Sequence, residues 1–187
     1  MASALHHMHE KWIMHWDLKP ANIFISSEGD LKLGDLGLGR ALSSQTFEAY
    51  SRVGTPLYMS PEVLDGSGYD TKSDVWSLGC IAYELCTLKS PFKKEDSKMS
   101  LYELFQSIKA GKYDPIPDRY SPELILLIDS ILKTNPAEWL WIEQIVEICT
   151  LHKQNQLSKA LIDSNLQMDD IVEKLMLLDY ESKFCKS

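Results

Sequence analysis

Residues 14–25 read MHWDLKPANIFI, and this stretch decides the fold. Asp17, Lys19 and Asn22, three side chains suited to handling charge, crowd into six positions before the chain turns apolar. IFIS (23–26) and LKLGD (31–35) have strand composition and are joined by SEGD, a Gly-containing turn, which predicts a β-hairpin directly after the charged cluster. Asp35 closes that hairpin. A lone loop aspartate is more often a turn former than a catalyst; the grouping of four polar residues around one hairpin is what points to chemistry.

Upstream, residues 3–11 read as the end of a helix, with Ala4, Leu5 and Met8 on one face. His6, His7 and His9 of the HHMH cluster diverge around one helical turn, which fits a partly exposed helix end better than a metal site. Downstream, residues 35–62 have little periodicity and many Gly, Ser and Thr residues, so they are expected to form a long loop of the kind that carries function. From Lys72 to Lys89 the pattern is helical and apolar nearly all round, as in a helix buried on most faces. Ser100 and Ser121 are expected N-caps of two further helices, the second with Pro122 at its first position, and Gly111 is expected to end the first. IEQIVEICTLH (142–152) predicts another helix, and a tail from Leu157 carries Ile171, Leu175 and Leu178 at helical spacing.

The bulk composition fits this helix-dominated reading. The 187 residues are 44% hydrophobic and 25% charged, as in ordinary globular domains. A formal net charge of -8 argues against nonspecific binding to nucleic acid or to an anionic membrane. The four cysteines form no CxxC pair, which fits a reducing intracellular compartment, cytosolic or nuclear, rather than a disulfide framework. The N-terminus lacks the apolar core of a signal peptide, and no run approaches the length of a membrane span.

Asp17, Lys19, Asn22 and Asp35 match H-R-D-L-x-x-x-N followed by D-F-G, here HWDLKPAN and DLG. GTPLYMSPE and SDVWSLGCIAYE follow in the order of the substrate-facing segment, the A-P-E variant and the central helix of protein kinases. Residues 3–150 thus resemble the protein kinase superfamily, and GDLGLGR, VGTPLYMSPE and SDVWSLGC are similar to the NIMA-related serine/threonine kinases. The resemblance implies a mainly α fold: a truncated protein-kinase C-lobe over residues 1–150, a small β-hairpin at the catalytic loop, and a helical tail over 151–187.

The same resemblance assigns roles. Asp17 would accept the proton of a substrate hydroxyl, Lys19 would neutralise the transferring phosphoryl group, and Thr55 would hydrogen-bond both. Lys19, Asn22 and Asp35 would hold ATP, with Asn22 and Asp35 as oxygen ligands of Mg²⁺. Ser51 matches the activating phosphosite. Asp74 would take the backbone N–H groups of the catalytic loop, and His15 would be a packed core histidine. The implied partners are protein substrates or scaffolds, with ciliary or microtubule-associated proteins among them.

Three departures from the family pattern matter, the first removing a regulatory switch while leaving Asp17 able to act as the base. Trp16 stands where these kinases carry an arginine that pairs with a phosphorylated loop. Trp139, Leu140 and Trp141 replace an Arg-Pro-Ser whose arginine would neutralise Glu62, so Glu62 is expected to lack a donor. No Gly-rich loop and no V-A-I-K-type lysine occur, so the N-lobe is expected to be absent, with Trp76 and Ile81 left partly bare. In the tail, MDDIVEKLMLLDYESKFC (168–185) resembles the opening helix of an intraflagellar-transport subunit, although an amphipathic packing helix reads the same way. Two readings follow: a kinase C-lobe, or a catalytically silent pseudokinase remnant that binds proteins.

Overall fold

The computed structural model describes residues 1–35, 56–93 and 99–163. Thr55, Ser51 and the tail motif at 168–185 lie outside the described residues. The element order is α1 (Ala2–Glu10), β1 (Ile23–Ile25), β2 (Leu31–Leu33), α2 (Pro61–Leu64), α3 (Thr71–Thr87), α4 (Leu101–Ala110), α5 (Pro122–Ile131) and α6 (Ile142–Asp163). Short 3₁₀ turns fill Pro20–Asn22 and Pro136–Glu138. The described fold is mainly helical with one two-stranded antiparallel sheet. It divides into two compact units, Met1–Val146 and a second beginning at Glu147. Helix α6 runs across the expected division at residues 150 and 151.

Local chemistry accounts for the helix ends. Asp70 accepts from the Lys72 N–H and shares a capping box with Ser73 at the head of α3. Ser100 and Glu103 form a second capping box on α4, and the Ser121 side chain accepts from Leu124 at the head of α5. Gly111 closes α4 at φ 61°, in the left-handed region. The expected loop at 35–62 ends differently: Ser60 and Pro61 start the one-turn helix α2, because proline at the first helical position is preset for that backbone. Helix α3 ends at Leu88, which adopts φ 60° and is 86% exposed.

Helix α3 is the centre of the first unit. One apolar cluster gathers Trp76, Cys80 and Tyr83 with Phe92, Leu104, Ile108, Ile128, Leu132 and Trp139. Trp76 stacks on Phe92 with ring centroids 5.5 Å apart and meets Trp139 at 5.4 Å. A second cluster joins Val75, Leu78 and Ile81 of α3 to Leu5 of α1, Leu18, Ile131, Ile142 and Ile145. The expectation that Trp76 and Ile81 lie partly bare is therefore corrected: both are fully buried, Trp76 by the two aromatic rings and Ile81 in the cluster with Leu5 and Ile131. At Gly79 the helix α5 comes close, since a Cβ there would sit 2.4 Å from the Ile131 side chain.

Candidate active site

The site is built on the loop between α1 and β1, and α3 holds that loop in place. Asp74 on α3 has no solvent exposure. Its Oδ2 accepts the backbone N–H of His15 at 2.9 Å and the ring Nε2 of His9 at 2.8 Å. Its Oδ1 accepts the backbone N–H of Trp16 at 3.1 Å and the hydroxyl of Tyr69. Four donors on one buried carboxylate satisfy a charge that would otherwise be very unfavourable away from water. The expected backbone contacts are present, whereas the expectation of a partly exposed helix end fails at His9. It is instead buried against Asp74, a pairing across 65 residues that helical spacing alone does not signal.

Trp16 adopts φ 70°, an outlier for a bulky residue, and its ring stacks on Tyr69 at 4.4 Å. The next residue, Asp17, presents Oδ2 to Lys19 Nζ at 2.6 Å and to Asn22 Nδ2 at 3.2 Å. Asn22 Nδ2 also donates to the Asp17 carbonyl at 2.8 Å, so the buried amide is clamped by its nitrogen and leaves its oxygen as the remaining acceptor. The turn Pro20–Asn22, started by a proline, brings Asn22 back over Asp17.

The hairpin places Asp35. Strands β1 and β2 pair Ile23 with Leu33 and Ile25 with Leu31, and the ladder continues as Gly34 N–H donates to the Asn22 carbonyl at 2.9 Å. His15 Nε2 donates to the Gly34 carbonyl at 3.2 Å, and the His15 side chain is fully buried, as expected for a packed histidine. Asp35 follows at φ 58°, so the register sets it one residue beyond the partner of Asn22. Asp17, Lys19 and Asn22 thus meet at the end of the hairpin from which Asp35 leaves, 13 sequence positions after Asn22.

Glu62 departs from expectation. Its Oε1 accepts from the hydroxyls of Ser60 and Ser73, both at 2.6 Å, so donors are present after all. Its Oε2 is buried without a partner among the described residues. Burial pushes the Glu62 carboxyl above its ordinary value, against the opposing pull of the two serines. A folded value above the unfolded one contributes stability that is fully present below the ordinary glutamate range and lost as pH rises through the raised folded value. Glu62→Gln should therefore leave stability unchanged in acid and raise the melting temperature by about 2–5 °C near neutral pH. Parallel pH–stability curves for the two proteins would show that Glu62 is not the titrating group.

Comparison with known proteins settles the class. The model of the protein kinase domain matches residues 1–149. The chain belongs to the protein kinase family. Its curated relatives include the serine/threonine-protein kinase Nek2 of Homo sapiens, 45% identical over 135 residues, covering 72% of this chain and 29% of that protein. The G2-specific protein kinase nim-1 of Neurospora crassa is 48% identical over 124 residues, covering 66% of this chain and 14% of that protein. Mouse Nek1 is 40% identical over 144 residues, covering 77% of this chain and 12% of that protein. These are NIMA/Nek serine/threonine kinases, as the motifs imply, and the chain spans less than a third of the length of each.

Proposed function

We propose that this chain is the C-lobe of a NIMA-related serine/threonine kinase, with the kinase portion over 1–150 and a helical tail over 151–187. The observation that carries the reading is the Asp17 carboxylate, whose Oδ2 is taken by both Lys19 and Asn22. That engagement leaves Oδ1 as the acceptor for the proton of a substrate serine or threonine hydroxyl. Lys19 sits beside the same oxygens, where its ammonium neutralises charge on the phosphoryl group in transit. Thr55 is assigned to support both.

ATP with Mg²⁺ supplies the phosphoryl group and offsets its charge. The residues present fit that pair. Asn22 offers an amide oxygen and Asp35 a carboxylate, and Mg²⁺ bridged to phosphates takes only one or two carboxylates from protein. Lys19, Asn22 and Asp35 would hold the nucleotide–metal pair. Ser51 is assigned as the regulatory phosphosite, uncoupled from the catalytic loop by the loss of arginine at Trp16. No helix among the described residues is long and apolar enough to cross a membrane. We place the protein in the cytoplasm, including cytoskeleton or cilium, acting on protein substrates or scaffolds rather than nucleic acid or lipid.

The second reading is a silent pseudokinase module for protein binding. It is favoured by Trp16 and by Phe24, Ile25 and Leu31, large apolar side chains that the hairpin leaves exposed. A chimera that places the ATP-binding N-lobe of a serine/threonine kinase ahead of this chain separates the two. The kinase reading expects phosphorylation of a serine peptide that falls about 10²–10⁴-fold in Asp17→Asn. A folded chimera that binds Mg²⁺–ATP but transfers no phosphate, or one that Asp17→Asn leaves unchanged, supports the binding module instead.

A further inference from the structure

We infer that Tyr69 is a positioning residue for the loop that carries Asp17, working through its stack on Trp16; the catalytic meaning of this role rests on the kinase reading above. Three contacts close a triangle. The Tyr69 ring lies on the Trp16 ring at 4.4 Å and 24° between planes. The Tyr69 hydroxyl donates to Asp74 Oδ1, and the Trp16 backbone N–H donates to that same oxygen at 3.1 Å. Trp16 is therefore gripped by its main chain and by its side chain, and both grips end on one carboxylate of α3.

The grip is placed where the backbone most needs it. At φ 70° Trp16 holds a conformation that bulky residues avoid, and such strain persists only where the surroundings over-determine it. Relaxation of Trp16 to the ordinary region would swing the following residue, Asp17, away from Lys19 and Asn22. An arginine in this position would need an anion on another loop to hold its side chain. The indole needs none, because Tyr69 belongs to the segment leading directly into α3, whose first turn is capped by Asp70. The stack thus holds the catalytic loop without a phosphate.

Amide hydrogen exchange on the full chain, without nucleotide or substrate, tests this. Tyr69→Leu should speed exchange of the Trp16 amide by about tenfold or more, abolish the near-ultraviolet dichroism of the stacked pair, and leave the amides of α3 protected. Tyr69→Phe keeps the ring and should retain most of the protection and the dichroism. If Tyr69→Leu also exposes α3, Trp16→Leu, which removes the other ring, is read in its place by the same criteria. Unchanged Trp16 exchange on loss of the stack, or exchange as fast in Tyr69→Phe as in Tyr69→Leu, overturns the proposal. An inactive chimera with a protected Trp16 amide would count against the kinase reading and leave the positioning role standing.

Discussion

Replacing Asp74 with alanine should lower folding stability by about 3–5 kcal/mol, the loss expected when one member of a buried charged network is removed. The effect is large because the carboxylate serves four donors: His9 Nε2, the His15 and Trp16 backbone N–H groups, and the Tyr69 hydroxyl. The His9 and His15 donors cannot turn easily to water, since both residues are buried with Asp74, whereas Trp16 and Tyr69 are half-buried. A domain of this size has about 5–15 kcal/mol in total, so the variant should be marginal at best. Urea denaturation checks it through a fall in midpoint at unchanged slope. Asp74→Asn, which keeps one acceptor oxygen, should fall between. A loss below about 1 kcal/mol would mean that the donors find other partners.

Trp139→Ala should be as damaging by a different route. The ring is nearly inaccessible, lies 5.4 Å from Trp76, and donates Nε1–H to the Lys133 carbonyl. Truncating a buried tryptophan typically removes about 3–5 kcal/mol through lost transfer energy and the cavity left behind. Trp141, two residues on, is the internal control. It is half exposed and lies under the Lys72 ammonium at 3.8 Å, so Trp141→Ala should cost only about 0.5–1 kcal/mol. Comparable melting temperatures for the two alanine variants would contradict the assignment of Trp139 to the core.

The contrast between these tryptophans marks where sequence reading stops. The spelling WLW alone does not tell which one turns inward; the resemblance does, because it matches Trp139 to the arginine of a buried ion pair, and Trp139 is the buried one. Features carried by neighbouring residues were legible: the Ser100, Ser121 and Gly111 helix ends, the hairpin after Asn22, and the crowding of Asp17, Lys19 and Asn22. The contact of Asp74 with the His15 and Trp16 amides was legible through family resemblance, not through spacing. What escaped depends on segments far apart in the chain. His9 reaches Asp74 only because α1 packs on α3, and Ser73 reaches Glu62 only because α2 meets the start of α3. Trp76 and Ile81 were misjudged for the same reason, since the groups covering them come from residues as distant as Trp139 and Leu5.

Leu88 offers a consequence of a more practical kind. A leucine held at φ 60° with 86% of its surface in water adds strain and exposed oil while packing almost nothing. The left-handed conformation is unfavourable for an L-side chain by roughly 1–2 kcal/mol, and glycine removes that penalty while adding roughly 0.5–1 kcal/mol of unfolded-state freedom. Leu88→Gly should therefore come out slightly ahead in stability and clearly ahead in solubility. It lies at the far end of α3 from Asp74, the residue that holds the loop carrying Asp17. Natural chains keep such unspent margin because selection acts only on the threshold. Here it provides a more soluble background that returns a small part of what the variants at Asp74 and Trp139 lose.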